Sequence, residues 1–247
     1  PMTTKNVSKK YELTDEIHRI PEGKTVRRIR ALRDFADVKA GDLGGVIENE
    51  KSLSHDGDCW VYDNAMVAMD SVVSENAQVR NNARVYKSAK ISGNAIVCDN
   101  AQVFHNAKIS DNAKICDNAM VNGNVFGNAV VCDNAQVSFL GHISDNAKVS
   151  DYAHVTGRVY GNARVYGNAC IYGFSEIYDD AQVYDRATIS EHVKVYGNAR
   201  VCDQATVYSK PRTDGYAPPI YVKIYGNAVV NGNQKISEDI CGDDKAA

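Results

Sequence analysis

The chain has no run approaching the roughly eighteen apolar residues that a membrane-spanning helix needs. Its opening stretch, PMTTKNVSKKYELTDE, also lacks the apolar centre of a secretory leader. Both absences predict a chain that is neither inserted nor exported, with the cytoplasm as its expected location. No CxxC pair occurs among the seven cysteines, an odd number scattered along the sequence. That argues against a disulfide framework or a zinc knuckle and predicts no metal. An excess of one charge is missing too: 28 basic residues face 31 acidic ones, for a net charge of -3. Composition therefore gives no push toward nucleic acid or an anionic membrane. At 247 residues the chain fits one large domain or two small ones.

What is present is a period of six. The stretch VYGNARVYGNAC, at 159–170, writes nearly the same phrase twice, and six matches neither the 3.6 of a helix nor the 2 of a plain strand. The unit is Val-x-[Asp/Gly]-Asn-Ala-x. Alanine recurs at every sixth position from Ala77 to Ala119, with Val79, Val85, Ile91 and their successors two residues after each. The pattern runs from about Leu53 to Gln234. One such unit cannot bury its apolar side alone, so units must stack into a solenoid. The β-branched residue starts a short strand and points inward. Asp or Gly followed by Asn makes the corner, because these residues tolerate the backbone a sharp bend requires. Alanine turns inward where the corner leaves little room.

Three hexads close one triangular coil, and this pattern resembles the hexapeptide-repeat family. The resemblance implies an all-β fold, a single-stranded left-handed parallel β-helix of about ten triangular coils with a short N-terminal β cap. The expected organisation is a cap over 1–46, a β-helix over 47–240 with a loop insertion at 208–221, and a polar tail at 241–247.

Departures from the repeat carry the functional information. Corners without the Asp/Gly-Asn pair fall mostly on every third hexad: Met69-Asp70, Lys87-Ser88, His105-Asn106, Phe139-Leu140, Gly173-Phe174 and Glu191-His192. Two shortened units, MVNGNVFGNA and HVTGRVYGNA, and the insertion YSKPRTDGYAPPIY belong to the same series. One edge of the coil thus differs from the other two. Either that edge drifts freely, or it faces a neighbouring subunit, the terminal segments or a ligand; contact is the reading preferred here, because Phe139, Leu140 and Phe174 would otherwise stand in water. The face before this edge is poor in charge and contains Met66, Tyr86, Phe104, Met120 and Tyr172, which predicts a contact core in a self-associating protein.

The face after the edge carries Lys90, Lys108, Arg158, Lys194 and Lys223 in one column, with His142 in it and Glu176 interrupting it. Tyr160, Tyr178, Tyr196 and Tyr225 run beside that column, so it would suit an anionic ligand. A nucleic-acid track is disfavoured by the net charge and the flanking Asp corners. The third face stacks Cys98, Cys116 and Cys132, with Cys202 further along, and outward thiols in one column do not converge as a tetrahedral metal site requires.

The hexapeptide family includes many coenzyme A-dependent acyltransferases that use a histidine as general base. By that resemblance His105 would be the catalytic residue, with His142 and His192 also on or beside the unusual edge, and a coenzyme A thioester the co-substrate. The insertion matches the protruding loops of those enzymes in position but contains no histidine. The segment at 26–65 is not hexad repeat at its start. Val26 to Leu32 alternates like a strand, AGDLGG is a glycine turn, and together they would cap the exposed end of the first coil. Through Arg33-Asp34-Phe35, Asp37 to Gly41, Gly44-Gly45 and Leu53-Ser54 through Gly57 to Asp63 it resembles the YdcK-like hexapeptide-repeat proteins of bacteria and their phages. Those proteins are often labelled transferase by fold alone, a weak guide to activity.

The resulting expectation is a non-catalytic, self-associating solenoid, a homotrimer as is common in the wider family. It would need no cofactor and would bind a protein or small ligand. For a phage-borne relative, blocking a host component would suit such a surface. The rival expectation is a coenzyme A-dependent acyltransferase with His105 as base.

Overall fold

The computed structural model describes residues 8–211 and 218–242. Part of the 208–221 insertion and the last five residues lie outside that range. The protein is an all-β parallel solenoid. It divides into two compact units, 1–117 and 118–247.

The first unit begins with three strands, β1 (Tyr11–Arg19), β2 (Thr25–Ala31) and β3 (Leu43–Ile47). β1 and β2 form an antiparallel pair, β2 pairs with β3 in the same sense, and β3 then pairs in parallel with Met66–Val67. The meander thus joins the end of one solenoid sheet, and the parallel stacking starts slightly before residue 47. Its outer strand is blunted by Glu12, Asp15, Glu16 and Arg19, the usual defence of an open sheet edge. β1 left no clear alternation in the sequence. β2 matches the strand expected from Val26 onward.

Beneath this meander sits a packed plug. Tyr11, Ile29, Leu53 and Trp60 are fully buried. The Tyr11 hydroxyl donates to the Leu53 carbonyl at 2.7 Å and to that of Glu50 at 3.1 Å. Trp60 meets Tyr11 and Phe35 edge-on. Lys10 is also buried; its Nζ donates to the carbonyls of Cys59 at 2.8 Å and Gly57 at 3.2 Å. Desolvation lowers its pKa.

The strands of the second unit lie in three parallel sheets. One runs from Met120–Val121 through 136–137, 154–155, 170–171, 188–190 and 206–208 to Lys235–Ile236. A second runs from Val130–Val131 to Val229–Val230, and a third from Asn124–Val125 to Ile240–Gly242. The last strand carries the repeat two residues past the expected end at 240.

The hexad explains this geometry. In both units the repeat's inward valines and isoleucines and the corner alanines are almost all fully buried. In a regular corner the first residue sits in the left-handed region, as at Asp99 (φ 59°) and Asp151 (φ 56°). The unusual corners of the first unit instead place two successive residues there: Met69 and Asp70, Lys87 and Ser88, His105 and Asn106. Those corners are a different turn, and not a regular corner with drifted side chains. Among the described residues no helix is long and apolar enough to cross a membrane.

Candidate functional site

A shortened hexad creates the most distinctive surface feature. At Thr156-Gly157 the second unit drops the two residues that would build a corner, yet the ladder continues. Thr156 N donates to Ile171 O at 2.8 Å and Arg158 N to Ser175 O at 2.9 Å. Only glycine fits at 157, because a Cβ would lie 2.5 Å from the Ser175 carbonyl oxygen. With that corner missing, the full corners on either side, Phe139-Leu140 and Gly173-Phe174, stand proud of it. Between them lies a recess with a cavity volume of about 270 Å³, lined by Leu140, His142, Gly157, Arg158, Phe174 and Glu176. A second hollow shares His142 and Arg158 and adds Phe126 and Tyr160.

Strand register fixes the polar side chains here. His142 pairs with Arg158, Arg158 with Glu176, Glu176 with Lys194, and Lys194 with Lys223. The column expected from sequence is therefore present in this unit, but its members are not equivalent. Lys194 Nζ reaches Glu176 at 3.4 Å and lies 4.6 Å from the centre of the Tyr221 ring. Tyr160 donates its hydroxyl to the same Glu176 carboxylate at 2.8 Å. Arg158 makes no ion pair among the described residues. Burial, and then the Arg158 charge, lower the pKa of His142, so its imidazole is neutral at pH 7. Beside the column Tyr160, Tyr178, Tyr196 and Tyr225 stack face to face, with centroids 4.9 to 5.2 Å apart. Burial pushes the Tyr178 phenol up to about 12. In the first unit Lys90 and Lys108 are register partners.

His105 stands at a corner with φ 53°, and its ring meets Phe104 edge-on at 5.1 Å. No carboxylate or hydroxyl orients that ring among the described residues. His192 stacks on Phe174 at 5.2 Å and meets Tyr221 edge-on. On the charge-poor face, Ser138 Oγ lies 2.7 Å from His154 Nε2, and burial lowers the pKa of that histidine. Sequence reasoning did not single out this pair, because its members lie on different turns and only the register brings them together.

The residues expected to make contacts divide into groups. Met66 is buried against Val26 and Ala68, with Ile20 of the meander beside them, so it is covered within the chain. Tyr86 stacks on Phe104 at 5.3 Å and donates to Gln102. Phe139, Leu140 and Phe174 are 66%, 53% and 62% exposed, and Met120 and Tyr172 also reach solvent.

The cysteine face differs from the exposed column expected. Cys98, Cys116, Cys132 and Cys202 are all buried, and the thiols of Cys98 and Cys132 each lie 3.4 Å from the following aspartate. Ligand atoms of Asp185, Cys202 and Asp203 come within 4.8 Å of one another. Asp185 already accepts the Asp203 backbone N–H at 3.2 Å.

Comparison with known proteins agrees with the repeat. The family model for the YdcK beta solenoid repeat matches residues 113–126 and 158–173, the second of which contains Arg158 and Gly173. A protein of Escherichia coli (strain K12) called "Uncharacterized acetyltransferase YdcK" is 44% identical over 55 residues, 22% of this chain and 17% of that protein. The match thus spans about a sixth of that relative's length. The chain is a β-solenoid whose repeat is similar to that of the YdcK-like proteins.

Proposed function

We propose that the protein is a non-catalytic, self-associating solenoid that presents a rigid surface to a protein or small ligand. The observation that carries this reading is the group of large apolar side chains in water on the second unit. Phe139, Leu140 and Phe174 project from the unusual corners, and Met120 and Tyr172 lie on the charge-poor face. Apolar groups concentrated in this way are characteristic of surfaces that become covered. A homotrimer is the assembly we assign. The cytoplasm is the compartment, in keeping with seven free cysteines.

The test is the mass in solution. Phe139→Asp combined with Tyr172→Asp is expected to convert the assembly to monomer in light scattering. An unchanged mass removes this surface from the contact.

A second reading is favoured by the name of the E. coli relative, an acetyltransferase: a coenzyme A-dependent acyltransferase with His105 as general base. A base of this kind normally has a partner that holds its ring, and among the described residues the His105 ring meets Phe104 and no carboxylate or hydroxyl. Titration with acetyl-coenzyme A, followed by melting temperature and calorimetry, separates the two readings. The binding-module reading expects no saturable shift at millimolar ligand. Saturable binding, with turnover lost in His105→Ala while binding is kept, would establish the enzyme instead.

A further inference from the structure

We propose that the recess over Gly157 binds a small carboxylate with an apolar body, held by the Arg158 guanidinium and walled by Leu140 and Phe174. This deepens the binding-module reading and rests on it.

The charge argument comes first. Arg158 carries a full positive charge with no ion pair among the described residues. The nearest carboxylate in its column, Glu176, is taken up by Lys194 at 3.4 Å and Tyr160 at 2.8 Å. An uncompensated guanidinium at the mouth of a recess attracts an anion, and its planar fork matches the two oxygens of a carboxylate. A phosphate dianion fits less well. It would need further cations, and Lys194 is already paired with Glu176. Neutral His142, beside Arg158, offers one more hydrogen bond to the guest.

The body of the guest follows from the walls. Leu140 and Phe174 rise on either side of the missing corner, more than half exposed, and Phe126 is 38% exposed in the adjoining hollow. A flat apolar group between them would cover surface that otherwise faces water. A cavity of about 270 Å³ limits the guest to the size of a small aromatic or short acyl acid. The shortened hexad thereby acquires a purpose: it opens the corner that a regular repeat would close.

Benzoate is the probe, titrated calorimetrically into the full chain. We expect saturation with a Kd on the order of 1 mM, the level a ligand of this size supports. Arg158→Met is expected to weaken binding roughly tenfold or more, because it removes a charge-assisted hydrogen-bond pair. Phe174→Ala, on the opposite wall, should weaken it about threefold or more. Benzyl alcohol and inorganic phosphate should bind at least about tenfold more weakly than benzoate. Benzoate affinity unchanged in Arg158→Met, or phosphate binding as tight as benzoate, would overturn the proposal. Light scattering on the same samples keeps the two ideas apart. Loss of benzoate binding in an intact assembly by the unmodified chain refutes the site alone, whereas benzoate binding by a monomer supports the site and refutes association.

Discussion

At the scale of single residues, each letter of the hexad has a separate physical task. The aspartate at a regular corner takes the left-handed backbone and also ties one turn to the next. Asp151 Oδ2 accepts the Gly167 N–H at 2.9 Å, and Asp145 Oδ2 accepts that of Gly161 at the same distance. The following asparagine forms an amide ladder, as in Asn128 to Asn146 to Asn162, with steps of 3.1 and 3.2 Å. Alanine fills the space inside the bend. Asp151→Ala should therefore lower stability by about 1 kcal/mol, from the lost acceptor and the less tolerant backbone. Asp151→Asn should keep most of it, since an amide oxygen can still accept and Asn tolerates φ above zero; urea midpoints of the two variants decide the matter. At Gly157 the constraint is space. Gly157→Ala pushes a methyl against the Ser175 carbonyl and should cost about 1–3 kcal/mol in the same assay.

At the scale of elements, the meander of β1 to β3 and the shortened hexad are the two places where the repeat is interrupted for a reason. The meander covers the first sheet's open edge and is fastened by Tyr11, whose ring is buried beneath it and whose hydroxyl holds the Leu53 and Glu50 carbonyls. Tyr11→Phe leaves the buried Leu53 acceptor without its donor and should cost about 1–2 kcal/mol. Tyr11→Ala adds a cavity and should cost about 3–5 kcal/mol, with faster amide exchange in β1 than in the inner strands. Equal exchange across all strands would show that Tyr11 is not the fastener. Of the glycine turn expected at AGDLGG, Gly41 does turn, with φ 96°, whereas Leu43, Gly44 and Gly45 belong to β3. The antiparallel pairing of β1 was not legible in sequence, because its half-exposed outer strand lacks the alternation that marks a strand with one buried face.

At the scale of the whole molecule, acid is the informative variable. Burial lowers the pKa of His142 and His154 from the ordinary 6.5. The folded chain therefore binds fewer protons than the unfolded one in that range, and stability is complete above pH 6.5 and declines as pH falls from there toward the depressed folded values. His154→Gln should flatten part of that decline in melting temperature between pH 7 and 5; an unaltered slope would assign the effect to other groups. The period of six, the inward alanines and the three kinds of face could be assigned from sequence alone, because a repeat this regular forces equivalent positions into equivalent environments. The unusual edge was legible for the same reason, as the series of hexads that breaks the rule. Which residues meet there was decided only by the tertiary structure. Glu176 is held by Lys194 and Tyr160 while Arg158 makes no ion pair among the described residues, Ser138 reaches His154, and Met66 is covered by the meander. These contacts join residues one or more turns apart, and their distances depend on register and side-chain packing, which no periodicity in the chain encodes.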